Sequence, residues 1–206
     1  MSHRLFLSSK SESRHALLRM SGIPFVTIDQ SADESKCNWA LPLNEVVTHI
    51  ALFKMKHAIL PFGHFDEQIA YVLTADTLTQ DADGTIHGKP LNRDDAREMI
   101  RLSGSGNTAA TAFCIEKRIW SANQWNVIET STECVNAFYR FIVPEQYLDD
   151  YLNRSPSISC ANATSIENFG LQFLKDVHGS YTTILGLPLF ELREALEKIG
   201  FITNKH

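Results

Sequence analysis

The chain has 206 residues, 44% of them hydrophobic and 21% charged, an ordinary globular balance that suits one domain or two small lobes sharing a core. No apolar run approaches the ~18 residues of a membrane helix, and the opening Met1-Ser2-His3-Arg4-Leu5-Phe6-Leu7 has an apolar run of only three residues, so neither a spanning segment nor a signal peptide is expected and a cytoplasmic location follows by default. A formal net charge of -5 argues against coating DNA or RNA, which takes a basic face, but leaves room for a small anionic ligand held by a few local cations.

In chain order, residues 5–7 read as a short buried strand. Residues 9–13 form a Ser-rich loop capping a helix that runs to Ser21. That helix carries Ala16, Leu17, Met20 and then Ile23 on its inner side, with Gly22 at the C-cap. Residues 25–28 read as a second strand and 31–42 as an exposed polar loop. Asn44 is expected to cap a second helix with Val46, Ile50, Phe53 and Ala58 on its apolar face. Residues 69–73 read as a central strand ending at Asp76, and Asp81-Ala82-Asp83-Gly84 is a hairpin signal. Asn92 caps a helix of Ala96, Met99, Ile100 and Leu102, closed by Gly104. Residues 108–116 and 126–138 read as long strands joined through 120–125. Pro144 opens a helix at its first turn, through Tyr147, Leu148, Tyr151 and Leu152. Residues 171–177 read as a strand, Gly179-Ser180-Tyr181 as a turn, and 188–199 as a closing helix ended by Gly200. Helices and strands alternate around two long central strands, which predicts a mixed α/β sheet.

The cysteines, Cys37, Cys114, Cys134 and Cys160, form no C-x-x-C pair and have no His at zinc-finger spacing, so they read as reduced thiols with Cys114 in the core. The histidines show no H-E-x-x-H spacing. The chain also lacks G-x-x-x-x-G-K-[ST], G-x-G-x-x-G and G-x-S-x-G. Ser103-Gly104-Ser105-Gly106 follows a helix instead of opening one and reads as a C-cap and turn.

The polar residues placed where strands and helices meet carry the chemistry. A strand, the loop Ser9-Lys10-Ser11 and a helix start carrying Arg14 make an anion-binding arrangement, since free backbone N–H groups and the positive helix end face the ligand; the competing reading is a plain N-cap. Asp76, at the end of a sheet strand, is either a ligand-side carboxylate or a turn former. Lys54 lies near the apolar stripe of its helix, where it either snorkels over the core or serves a site. Lys89 is held in a rigid turn between Gly88 and Pro90. Asp33-Glu34 is either solvated surface charge or an approach to a metal.

Taken together, these pieces resemble the Maf family of nucleoside triphosphate pyrophosphatases, related in fold to the inosine triphosphatases. The resemblance runs from Leu5 to Gly200. Leu5-Phe6-Leu7-Ser8-Ser9-Lys10-Ser11, Arg14 and Leu17-Leu18 resemble L-A-S-x-S-P-R-R-x-x-L-L. Asp33-Glu34 resembles the acidic pair, Ile50-Ala51-Leu52-Phe53-Lys54 resembles L-A-x-x-K-A, Thr74-Ala75-Asp76-Thr77 resembles G-A-D-T, and Gly88-Lys89-Pro90 matches G-K-P. Leu102-Ser103-Gly104 and Thr111 match L-S-G-x-x-H-x-V-x-T, with Asn107 at the His. Gly179-Ser180-Tyr181 and Gly186-Leu187-Pro188-Leu189 match the closing motifs.

The resemblance implies a single domain over 1–206, with a mixed twisted sheet, flanking helices and two lobes around a central cleft. It implies hydrolysis between the α- and β-phosphates of a nucleotide, with Mg²⁺, Mn²⁺ or Co²⁺ as cofactor. By position it makes Asp76 the essential acid, Glu34 and Asp76 the metal-side carboxylates, Lys54 and Lys89 phosphate-side cations, and Ser9, Lys10, Ser11 and Arg14 opening-loop contacts. A homodimer is an expectation from the family alone; no nucleic-acid or membrane partner is expected. Two segments depart from the pattern. S-P-R-R reads Ser11-Glu12-Ser13-Arg14, losing one arginine, a charge that Lys10 restores in this reading. D-K-A-G-x-Y-x-I-Q-G reads Ser159-Cys160-Ala161-Asn162-Ala163-Thr164-Ser165-Ile166-Glu167-Asn168. Cys160-Ala161, Glu167 and Phe169-Gly170 resemble the subgroup preferring 7-methylguanosine triphosphate, with Glu167 toward the base; Glu167 as a water or metal contact is the other reading. The alternatives are a dTTP/UTP pyrophosphatase, a catalytically weakened nucleotide-binding regulator of septum formation, and an unrelated α/β domain.

Overall fold

The structure is a computed structural model that describes residues 4–201; Met1, Ser2 and His3 of the opening lie outside the described residues. The elements in order are β1 (Arg4–Leu7), α1 (Glu12–Met20), β2 (Phe25–Thr27), α2 (Leu43–Lys56), β3 (Ile69–Asp81), β4 (Ile86–His87), α3 (Arg93–Leu102), β5 (Asn107–Ser121), β6 (Gln124–Phe141), α4 (Glu145–Arg154), β7 (Leu174–Gly179), α5 (Tyr181–Ile184) and α6 (Leu189–Lys198), with short 3-10 turns between some of them. The strands form one mixed seven-stranded sheet in the order β2-β1-β3-β5-β6-β7, with β4 paired to β3. β1 runs parallel to β2 and β3, with Leu5 beside Phe25 on one side and Tyr71 on the other. Residues 70–76 of β3 are all buried, as expected where both faces of a parallel strand are covered. No described helix is long and apolar enough to cross a membrane.

Two compact units make up the chain. One comprises the chain up to Asp76, Ala112–Cys134 and the chain from Gly186; the other comprises Thr77–Thr111 and Val135–Leu185. The long strands β3, β5 and β6 each contribute residues to both. In the first unit Met55, Val72 and Cys114 pack together under Ile28, Leu52 and Leu60. In the second, Ala96 and Ile100 of α3, Tyr139 and Phe141 of β6, and Leu148, Tyr151 and Leu152 of α4 share a core with Phe173.

Several boundaries differ from the sequence reading. β3 does not end at Asp76 but continues to Asp81, because Thr77 and Thr79 favour a strand and Thr79 pairs with His87 of β4. α2 begins at Leu43 with Pro42 at its N-cap, and the Pro42 carbonyl accepts from the N–H groups of Glu45 and Val46; Asn44 is therefore inside the first turn. The buried residues of α1 are Arg14, His15, Leu17 and Leu18, spaced i, i+1, i+3 and i+4, and Met20 turns to solvent. The segment at 168–173 is a 3-10 turn, so the last strand starts at Leu174 and not at 171. The connector expected at 120–125 is mostly strand. β5 and β6 close on the two-residue loop Ala122-Asn123, both at positive φ (51° and 61°), the backbone a tight hairpin of this hand requires. Asn92 caps α3 as read, accepting from the Asp95 N–H at 2.9 Å.

Candidate functional site

In the first unit, the loop between β1 and α1 folds around its own hydroxyls. Ser9 Oγ accepts from the Ser11 N–H at 3.2 Å and from Arg14 Nη1 at 3.4 Å. Ser11 is the N-cap of α1, its Oγ accepting from the Arg14 N–H. Arg14 is buried, and its Nε donates to the Gly186 carbonyl at 2.7 Å. His15, also buried, sits with Nε2 at 2.9 Å from the Ser9 carbonyl, and because a carbonyl only accepts, Nε2 carries the proton. The N-cap reading holds for Ser11, and Ser9 and Arg14 are tied together. Lys10 is exposed.

Lys54 does not snorkel. It lies on the buried face of α2 with Ile50, Ala51 and Met55, is 7% exposed, and its Nζ donates to Asp76 Oδ1 at 2.6 Å and reaches Glu34 Oε1 at 2.9 Å. Asp76, 7% exposed in the run of β3, is not a turn residue. The Thr74 hydroxyl donates to the Ala51 carbonyl at 2.8 Å, fastening α2 to β3 two residues from Asp76 and three from Lys54. Glu34 reaches the group from a 3-10 turn capped by Asp33, whose Oδ1 accepts from the Ser35 N–H at 3.2 Å and the Ser35 hydroxyl at 2.7 Å.

The charges in this group tune one another. Burial pushes the Asp76 carboxyl above the ordinary aspartate value; the Lys54 ammonium and the Arg14 guanidinium pull it back, and Glu34 adds to the rise. Burial lowers Arg14 from its usual value, while Asp76 and Glu34 raise it. Cys37 is buried nearby, its thiol pushed up by burial and by Glu34 and Asp76. A buried charge this close to its partners is retained because removing one partner strands the other.

Among the described residues no three His, Cys, Asp or Glu side chains group to hold a metal ion. Glu34 and Asp76 nonetheless converge on one cation, the Lys54 ammonium. Two carboxylates are an all-oxygen donor set of the kind hard divalent cations accept when phosphate oxygens and water supply the rest.

The second unit holds the other candidates. Lys89 is exposed and Glu167 half-buried. The loop carrying Glu167 is closed upon itself. The Tyr151 hydroxyl donates to the Ala163 carbonyl at 2.8 Å and accepts from the Ser165 N–H at 2.7 Å. Gly170 lies so near Ser165 that a Cβ there would fall 1.8 Å from the Ser165 carbonyl oxygen. Cys160 is pushed up to about 11 by burial, with Glu167 raising it further and Lys89 lowering it. Glu167 also raises the Tyr181 phenol, behind the larger effect of burial. The structure therefore groups Ser9, Ser11, Arg14, Glu34, Lys54 and Asp76 in the first unit, and Lys89 and Glu167 around Cys160 in the second.

Sequence reasoning did not single out Thr74, His15, Gly186 or Tyr151 for this work. Gly186 lies inside a recognised closing motif, yet its carbonyl role is backbone chemistry that no residue type signals. Thr74 offered one signal: a hydroxyl where the resembled G-A-D-T motif has glycine.

A family model described as Maf-like protein matches residues 4–199. Similar proteins include a dTTP/UTP pyrophosphatase of Hydrogenovibrio crunogenus, 29% identical over 207 residues that span 99% of this chain and 100% of that protein. A dTTP/UTP pyrophosphatase of Caldicellulosiruptor bescii is 31% identical over 201 residues, 96% of each chain. A nucleoside triphosphate pyrophosphatase of Legionella pneumophila (strain Paris) is 31% identical over 200 residues, 96% of this chain and 94% of that protein.

Proposed function

The chain belongs to the Maf-like protein family, and from that membership we propose that it is a nucleoside triphosphate pyrophosphatase. In the proposed reaction water attacks the α-phosphorus, the bond to the α–β bridging oxygen breaks, and a nucleoside monophosphate and pyrophosphate leave. The observation that carries this reading is the Lys54 ammonium held between the carboxylates of Asp76 and Glu34, with Arg14 buried beside them. Cations next to acids in one buried group are what a polyphosphate and its attacking water need together.

Arg14 and Lys54 bind and neutralise phosphate oxygens, with Ser9, Lys10 and Ser11 supplying the loop at the helix start. Asp76 in its ionised form accepts the proton of the attacking water. Glu34 and Asp76 are the residues that would hold a divalent cation, which when bound supplies Lewis-acid polarisation of a phosphoryl oxygen. Lys89 is proposed as a further phosphate-side cation and Glu167 as the residue that reads the base. A carboxylate suits a cationic methylated guanine or its amino edge, so the proposed substrate class is 7-methylguanosine-like; dTTP and UTP are the rivals suggested by the relatives' names.

The test is pyrophosphate release from dTTP, UTP, GTP and 7-methylguanosine triphosphate, each with Mg²⁺, Mn²⁺ or Co²⁺. Asp76→Asn is expected to lower the rate about 10³-fold, the scale of a lost general base. Equal rates for the two proteins would remove Asp76 from the mechanism, and a ranking led by dTTP or UTP would remove the methylguanine assignment.

A further inference from the structure

Two buried amides in the second unit have no part in the chemistry above. Asn107 opens β5 and is 1% exposed; Asn162 lies between Cys160 and Glu167 and is 2% exposed. They bond to each other, Asn162 Nδ2 donating to Asn107 Oδ1 at 3.0 Å. Asn107 Nδ2 donates in turn to the Ser103 carbonyl at 2.7 Å. The Asn162 backbone N–H donates to the Gly88 carbonyl at 2.8 Å, and its carbonyl accepts from the Thr164 hydroxyl at 3.0 Å. Asn162 holds φ 52° and ψ 30°, the left-handed region that Gly and Asn enter most readily. Three segments distant in sequence are joined here: the end of α3, the Gly88-Lys89-Pro90 turn and the loop carrying Glu167.

Asn107 stands where the resembled motif has histidine, and Asn162 where it has glycine, so two departures from one pattern are hydrogen-bonded partners. The consequence falls on Lys89 and Glu167. The backbone of Lys89 is fixed on one side by Gly88, bound to Asn162, and on the other by the buried Pro90. Lys89 and Glu167 both act electrostatically on the Cys160 thiol, so both charges lie within reach of one point on the loop that Asn162 anchors.

We propose that Asn107 and Asn162 are positioning residues: a buried amide clasp that ties the Glu167 loop to the start of β5, steadies the backbone N–H through which Asn162 holds the Lys89 turn, and thereby sets nucleotide affinity and not the rate of the chemical step. The proposal rests on the pyrophosphatase reading for what binds there. Asn162→Gly is the informative variant, because glycine takes the left-handed backbone without strain and keeps the N–H that serves Gly88 while losing the side chain. Asn107→Ala and the double variant complete the cycle.

Each single variant is expected to raise KM about tenfold and to leave kcat within about twofold, the signature of lost binding. The double variant is expected to be no worse than the worse single, because the two amides act as one unit. In Asn107→Ala, hydrogen exchange of the Asn162 amide is expected to speed up about tenfold as the joint loosens. Unchanged KM, a fall confined to kcat, additive effects or unchanged exchange would each overturn the clasp. Nucleotide Kd, measured by calorimetry, separates the two ideas. Binding without turnover in the native protein sinks the pyrophosphatase reading and leaves the clasp to be decided by Kd in the same variants, whereas no binding at all sinks both.

Discussion

The acidic–basic group of the first unit and the closed loop of the second solve opposite problems. Around Lys54 the chain buries formal charges, and each is balanced by another: the ammonium faces Asp76 and Glu34, and Arg14 lies within their field. Around Asn162 the chain buries neutral polar groups, and backbone carbonyls of Ser103, Gly88 and Ala163 are bonded by amides and a phenol. A charge cluster is easily retuned by one substitution but tolerates small shifts of backbone. A neutral network of short hydrogen bonds holds shape and tolerates almost no added volume. Reactivity is accordingly expected from the first region and shape from the second.

Lys54→Met should break the first region most severely. Removing one partner of a buried ion pair strands the other, at about 3 kcal/mol of stability, read as a loss of unfolding free energy in denaturant. The pH dependence sharpens the result. Asp76 has a folded-state value raised above its unfolded one, so its contribution to stability is fully present below the unfolded value and is lost as pH rises through the folded value. The acid limb of activity, which needs ionised Asp76, should therefore lie above the ordinary aspartate range. Lys54 pulls Asp76 down, so Lys54→Met should move that limb further up and make the variant least stable, relative to native, at neutral and alkaline pH. A limb that stays in place would deny that Asp76 is the group titrating.

Gly170→Ala tests the second region by volume alone. The new methyl would fall 1.8 Å from the Ser165 carbonyl oxygen, a backbone atom that cannot swing aside, and a loss of about 2 kcal/mol is expected, as for other overpacked sites. If base discrimination resides in this loop, the ratio of kcat/KM values across the nucleotide panel should change more than the rate with the preferred substrate. The smallest effect is expected at Asn92→Ala, which removes the cap of α3 and should cost about 1 kcal/mol without touching either region's function.

Most of the elements were legible because their signals are local. Gly22 and Gly200, both at positive φ, follow helices where C-cap glycines belong; Asn92 caps α3; and Asp81-Ala82-Asp83-Gly84 turns β3 into β4, with the Gly84 N–H donating to the Asp81 carbonyl at 3.1 Å. The errors came where distant partners outweighed local preference. An aspartate inside a strand reads as an end, but Asp76 stays in β3 because Lys54, 22 residues earlier, compensates it. A lysine beside an apolar stripe reads as a snorkel, but Lys54 turns inward because two carboxylates await it. The family order of motifs named Ser9, Arg14, Lys54, Asp76 and Glu34 as candidates, and the structure places all five in one unit, with the Lys54 ammonium between Asp76 and Glu34.

The sequence by itself determined the mixed α/β class, most of the caps and turns and the family, since these follow from periodicity, turn chemistry and short motifs in a fixed order. The tertiary structure alone decided that a lysine would be enclosed by two acids and that two asparagines 55 residues apart would bond. Burial and charge compensation depend on which segments the fold brings within about 3 Å, the reach of a hydrogen bond, and no local pattern encodes that distance.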